Sequence, residues 1–340
     1  MSVWLDHLVR GGKSRRKPVF SFLESGMGGQ GGRTLRTRVY VDGYNFYYGC
    51  LKGSRFKWLN LHALFENQIL PSILHMGPGG SPDRHELRPV AVKYFTATIV
   101  ETAAKGPDSV SSQDAYHTAL ENYCAGRLQI IKGYFSVSQV RAPKVDHANP
   151  GKWPRHCERV DIWKFEEKQS DVQLALHAYH DALTGDVDQV VIASNDTDLA
   201  PALQMIRDNT NVVVGLVNPT CDHRRPPNTS LVQLSHWTRE HISEQELAAA
   251  QLPRVVPRKR GVSLKPTSWY ARPDLLTPAL TLATKVRGSK GAAFKWLSTP
   301  NEHLGGAVPL DLLESDEGAA AVITYMEDWI AKHPKSGDME

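Results

Sequence analysis

Four cysteines in 340 residues, Cys50, Cys124, Cys157 and Cys221, are widely spaced, and no Cys-x-x-Cys pair is present. That excludes a zinc knuckle or a disulfide framework and leaves free thiols. No apolar run approaches the roughly 18 residues of a membrane span. Residues 19–23, behind the bases Arg10, Lys13, Arg15, Arg16 and Lys17, are too short for the apolar core of a secretory signal. With 41% hydrophobic residues, a globular, cytoplasmic protein with no membrane partner is expected, long enough for one sizeable core or two domains. Internal repeats are also missing. Gly26, Gly28 and Gly31 have the spacing of a dinucleotide fingerprint, but only about six residues separate Gly32 from the next strand, which leaves no room for the helix that motif needs. Residues 1–35 are therefore expected as a flexible basic segment.

The net charge of +4 conceals a segregation. Residues 1–38 carry eight Lys or Arg against two acids, and residues 252–290 carry nine against Asp274 alone. Residues 291–340 carry three bases against nine acids. Basic arms around an acidic core can follow a phosphate backbone that the core would repel, although solvated linkers have the same composition.

The chain is organised around residues 190–201. Val190, Val191, Ile192 and Ala193 predict a buried strand that ends in Ser194-Asn195-Asp196-Thr197-Asp198. A second strand, residues 38–41, ends in Asp42-Gly43-Tyr44-Asn45. Helices are predicted over residues 60–74, 113–125 and from Ser170, and around 203–207. Further strands are predicted over 89–100, 128–137 and 212–217, with loops at 76–88 and 143–159. Lys144, Lys152, Trp153, Arg155, His156 and Arg159 in the latter loop suit nucleic-acid contact, and equally any surface loop. Ser170 and Gln173 have the spacing of a capping box, and Val172, Ala175, Leu176, Tyr179 and Leu183 form a candidate buried stripe. Asp171 then sits in the first turn, where the helix dipole favours a carboxylate. The alternation of strand and helix implies an α/β fold with a parallel sheet flanked by helices. Residues 246–289 read as a basic, Pro-rich linker, and helical patterning resumes near residue 270 and runs to Lys332.

Asp42, Asp171, Asp196 and Asp198 thus lie at element ends that one rim of a parallel sheet can collect. Clustered carboxylates repel one another, and Mg²⁺ or Mn²⁺ relieves that repulsion while activating water for attack on a phosphodiester. Asp42, Asp196 and Asp198 are the candidate metal ligands. Asn45, Asn195 and Lys168 are candidates for contacting substrate phosphate. Each Asp also has a plain structural role open to it, as a turn former or helix cap.

Val41-Asp42-Gly43-Tyr44-Asn45, Lys168-Gln169-Ser170-Asp171 and Ser194-Asn195-Asp196-Thr197-Asp198-Leu199 resemble the three motifs of the NYN domain, a branch of the PIN-like nucleases, over residues 36–245. The resemblance implies a PIN-like fold and a Mg²⁺-dependent ribonuclease site at Asp42, Asp171, Asp196 and Asp198, with single-stranded or structured RNA as partner. Asn195 departs from the family, which most often has glycine there. Ala293-Phe294-Lys295-Trp296-Leu297, with Pro300-Asn301, Leu304-Gly305-Gly306 and Glu317-Gly318, resembles the toxin-binding domain of Xre/MbcA/ParS-type antitoxins, which implies a small helical domain, 290–332, that contacts a protein partner.

The NYN resemblance leaves an alternative open. Some NYN-domain bacterial proteins resemble an NADH-dependent 6-hydroxy-3-succinoylpyridine 3-monooxygenase (hydroxylase) of nicotine degradation, whose substrate is a small hydroxypyridine. The chain offers no flavin or nicotinamide fingerprint and no placeable pattern of two histidines and one carboxylate for that chemistry. A non-catalytic RNA- or protein-binding module is the second alternative.

Overall fold

A computed structural model describes residues 32–333, Lys105 excepted. Residues 1–31, where the glycine-rich segment and most of the basic amino-terminal residues fall, lie outside the described residues, as do 334–340.

Seven strands form one sheet in the order β4-β3-β2-β1-β5-β6-β7. They are β1 (Thr34–Asp42), β2 (Arg84–Thr98), β3 (Leu128–Pro143), β4 (Arg159–Lys168), β5 (Gln189–Ala193), β6 (Val213–Val217) and β7 (Trp237–Arg239). All pairs are parallel except β3 with β4. The helices that follow the strands are α1 (Gly43–Phe46), α2 (Leu61–Ala63), α3 (Ser109–Tyr123), α4 (Ser170–Leu183), α5 (Ala200–Asn209), α6 (Thr229–Leu234) and α7 (Glu244–Ala249). Every residue of β5 and β6 is buried, as expected for strands covered on both faces. Val39 and Val41 point into one hydrophobic core while Tyr40 points into the other, on the opposite face of the sheet. The predicted α/β class and its mostly parallel sheet are thus present.

The antiparallel edge differs from expectation. Residues 159–168, whose start was assigned to a loop, form β4, and β3 runs on to Pro143, so the two make a long ribbon closed by residues 144–158. Its residues face water on both sides: Ile162, Trp163 and Phe165 are all exposed. With no buried face, β4 lacks the period-two apolar pattern that marks a strand. Similarly β2 begins at Arg84, inside the expected loop.

Helix α4 starts where expected but shows a different face. Leu174, Ala178 and Ala182 are buried; of the expected stripe, Ala175 and Tyr179 pack partly buried against the same core, whereas Val172, Leu176 and Leu183 are exposed. The cause is Asp181, a carboxylate on the buried face that accepts hydrogen bonds from Arg38 (2.8 Å), Tyr40 (2.7 Å) and Lys93 (2.6 Å). A buried ionic residue breaks the apolar stripe and makes the wrong phase look better. The capping box is also not formed: Gln169, at φ 78°, occupies the cap, and the Ser170 hydroxyl donates to Glu167 instead.

Residues 246–289, read as a linker, carry regular structure: the hairpin β8 (Val255–Pro257) and β9 (Val262–Leu264), a turn at Thr267–Trp269, and α8 (Pro273–Arg287). Helices α9 (Lys290–Leu297), α10 (Pro309–Leu312) and α11 (Asp316–Lys332) join α8 around a core of their own that includes Leu276, Phe294, Val322 and Met326. Trp58 donates its indole N–H to the Pro253 carbonyl at 2.8 Å, and so ties the start of this region to the core beneath the sheet. No helix among the described residues is long and apolar enough to cross a membrane.

Candidate active site

From β1 the chain runs outward through β2, β3 and β4 on one side, then returns to β5 and continues through β6 and β7 on the other. The carboxyl ends of β1 and β5 therefore flank a topological switch point, the place where open α/β sheets bind ligands. Asp42 is the last residue of β1, and Ser194 to Asp198 follow β5 directly.

Asp42 is buried, with one carboxylate oxygen accepting from the Asn45 backbone N–H (2.9 Å) and the other from the Ser194 hydroxyl (2.7 Å). Ser194 in turn accepts from the Asp196 backbone N–H at 3.0 Å, so one fully buried hydroxyl links both acidic strand ends. Gly43 comes next because a Cβ there would lie 2.5 Å from the Phe95 carbonyl oxygen. Burial pushes the Asp42 carboxyl up to about 7, and the nearby Asp171 and Glu167 charges add to the rise that its two hydrogen bonds oppose. Asp171, at the start of α4, is shifted up first by partial burial and then by Asp196 and Asp198. Glu167 is raised by burial and by Asp171, against its bond from Ser170. Asp42, Glu167, Asp171, Asp196 and Asp198 thus form one electrostatically linked group.

Asp42 and Asp196 also have the structural roles open to them: Asp42 caps α1, and Asp196 accepts from the Asp198 backbone N–H at 3.0 Å. Asn45 and Asn195 act as ties. The Asn45 side-chain oxygen accepts from the Asn195 backbone N–H (3.3 Å), while the Asn195 side chain accepts from Asn228 N–H (2.6 Å) and donates to the Pro226 carbonyl (3.3 Å). The Asn195 side chain is therefore occupied in holding the 226–228 segment beside the rim. Lys168 is paired with Glu166 at 3.1 Å.

Two residues of this group were not found from sequence. Ser194 opens the third motif, but nothing in the sequence assigns its hydroxyl a role. Glu167 sits on β4 directly across from Phe135, which becomes visible only when residues 159–168 are known to be a strand.

The donors are all hard carboxylate oxygens, which suit Mg²⁺ or Mn²⁺ and not a softer metal. Among the described residues no three His, Cys, Asp or Glu side chains close on a common point as a direct cage. Such a set fits a hydrated cation that keeps several waters and takes one or two carboxylates.

Residues 36–232 match the NYN domain, and residues 282–328 match the antitoxin Xre/MbcA/ParS C-terminal toxin-binding domain. A protein of Pseudomonas putida (strain DSM 28022 / S16) named 6-hydroxy-3-succinoylpyridine 3-monooxygenase HspA is 53% identical over 299 residues, which cover 88% of this chain and 96% of that protein. A crystal structure of a protein of unknown function, VPA0982 from Vibrio parahaemolyticus RIMD 2210633, aligns with 64% of this chain and 98% of its own at 17% identity, with a TM-score of 0.34, too weak a likeness to bear on fold or function.

Proposed function

Because the chain belongs to the NYN-domain family, with its PIN-like fold, we propose that the rim between β1 and β5 hydrolyses phosphodiester bonds of RNA with a divalent cation. The observation that supports this reading best is the gathering of Asp42, Glu167, Asp171, Asp196 and Asp198 at the sheet's switch point, three of them with raised carboxyl pKa values. Repelling carboxylates are costly to keep together without a cation. Asp42 and Asp196 would hold Mg²⁺ or Mn²⁺, which when bound neutralises phosphate charge and makes a bound water more acidic. Asp171 and Asp198 hold and orient the attacking water, each as a hydrogen-bond acceptor. Ser194 fixes the Asp42 carboxylate, and Asn45 with Asn195 keeps the two loops in register. Lys168 faces developing phosphate charge only by exchanging its Glu166 partner. The helical region that carries the toxin-binding match is assigned to a protein partner, in keeping with its separate core.

Incubating the full chain with end-labelled single-stranded RNA tests the proposal. Cleavage in Mg²⁺ or Mn²⁺ that EDTA abolishes is the expected result. RNA that binds with strong salt dependence yet stays intact with either cation would leave a binding module in place of a nuclease.

Ser194→Ala is predicted to raise the Mg²⁺ concentration needed for cleavage about 10–100-fold, the usual effect of removing an outer hydrogen bond to a ligand. Titrating cleavage against Mg²⁺ reads this. An unchanged titration means the hydroxyl does not support a metal ligand.

A second reading rests on one observation, the 53% identity across 96% of the relative's length. Under it the chain oxygenates a hydroxypyridine with NADH as reductant. NADH consumption that depends on the hydroxypyridine would establish it, and inert NADH with any reconstituted cofactor would remove it.

A further inference from the structure

A cavity of about 300 Å³ opens beside the acidic rim and shares Gly43 and Glu167 with it. None of the roles assigned above uses it. We propose that this cavity binds a single planar nitrogen-heteroaromatic ring bearing oxo or hydroxyl groups, presented either as a base of a nucleotide strand or as a free hydroxypyridine.

The walls argue for a flat ring. Tyr44, half exposed, and the buried Tyr94 and Tyr116 line the cavity together with Phe135 and Trp269. Aromatic walls favour a π-face over an aliphatic chain, through stacked or edge-on contacts. Trp269 comes from the turn that precedes α8 and meets Tyr116 (5.8 Å between ring centroids) and Trp58 (6.2 Å) edge-on. Ser268 beside it donates to Asp108, so the turn at Thr267–Trp269 closes one wall of the cavity.

The polar groups argue for a ring with hydrogen-bonding edges. His117 is 3% exposed, lines the cavity, and packs its ring 6.1 Å from those of Tyr94 and Tyr116. Burial holds it neutral, its pKa down to about 4, so the imidazole presents one donor and one acceptor. A ring nitrogen with an adjacent oxo or hydroxyl group supplies the matching pair. Lys57 is also on the wall, 5.9 Å from the Trp269 ring centroid, where it can meet an anionic substituent such as a carboxylate or phosphate. The volume lies at the lower end of the range for small-molecule pockets and suits one ring with a short tail rather than a dinucleotide.

This inference does not depend on hydrolysis. Binding is measured on the full chain in EDTA by tryptophan fluorescence, with 6-hydroxynicotinate and uridine 3′-monophosphate as probes. Saturable binding of one or both supports the site: 6-hydroxynicotinate alone assigns the ring to a free small molecule, and the nucleotide alone assigns it to a strand. Tyr44→Ala should weaken the binding about tenfold and Tyr44→Phe should retain it, since the phenyl ring keeps the stacking face. His117→Gln is the second variant, expected to weaken binding at an unchanged melting temperature; should it fail to fold, the Tyr44 pair decides. No binding of either probe below about 10 mM, or equal affinity in Tyr44→Ala, overturns the proposal. Neither result alters whether RNA is cleaved in Mg²⁺, so the two readings fail separately.

Discussion

Asp196→Asn is expected to lower RNA cleavage about 10²–10³-fold or more while the protein melts within a few degrees of wild type. The expected loss follows, under the proposed function, from removing one negative oxygen where a cation and a phosphate would be held, and electrostatic contacts of this kind carry effects of that size. Retention of the fold follows from the local geometry. Asp196 accepts from the Asp198 backbone N–H through a side-chain oxygen, and Asn is as good a cap as Asp. The Ser194 hydroxyl contacts the Asp196 backbone N–H, not its side chain, so that bond survives too. Cleavage assays and a thermal melt on the same preparation read the two halves of the expectation. A variant that cleaves at wild-type rate would reduce Asp196 to a cap, and one that unfolds would make its charge a stability element.

Asp181→Ala should cost about 3–5 kcal/mol of stability, the largest effect expected of any substitution outside the rim. One Asp181 oxygen accepts from Arg38, Tyr40 and Lys93, and the two cationic side chains are each exposed by a tenth or less. Alanine leaves both charges buried without a counter-charge, Arg38 keeping only the Val90 and Pro89 carbonyls and Lys93 only the His177 ring. Chemical denaturation of the two proteins measures the difference. The pH dependence has a definite sign. Burial raises the Asp181 carboxyl, but the bonds from Lys93, Tyr40 and Arg38 outweigh it and hold its folded pKa below the ordinary value. The stabilisation is therefore complete above the unfolded carboxyl pKa of about 3.9 and disappears as pH falls through the folded value. The gap between wild type and variant should narrow in acid. A gap that stays constant down to pH 2 would mean that the cost comes from lost packing and not from charge.

The predicted and observed structures agree where information is local. Residues 190–193 form β5 and residues 38–41 lie inside β1, because a short β-branched run bounded by an Asp turn needs little from the rest of the chain to be recognised. The position of Asp42 at a strand end, and of Asp171 in a helical first turn, follows from the same local signals. What failed were choices of face and partner. For α4, amphipathic phase selected Val172, Ala175, Leu176, Tyr179 and Leu183, of which only Ala175 and Tyr179 reach the core, because the helix turns Asp181 inward to meet Arg38 from β1 and Lys93 from β2, residues 143 and 88 positions away. For β4, exposure on both faces removed the pattern that names a strand, and Glu167 was missed with it.

The chain by itself determined that two strands end in acidic turns, because strand propensity and turn chemistry act over a few residues. Only the tertiary structure decided that those turns meet across the β1–β5 edge, that Ser194 bridges them, and that Asn195 is occupied by the 226–228 segment. Those outcomes depend on strand order and register, which bring residues about 150 positions apart into hydrogen-bonding distance, and no spacing within a single motif encodes them.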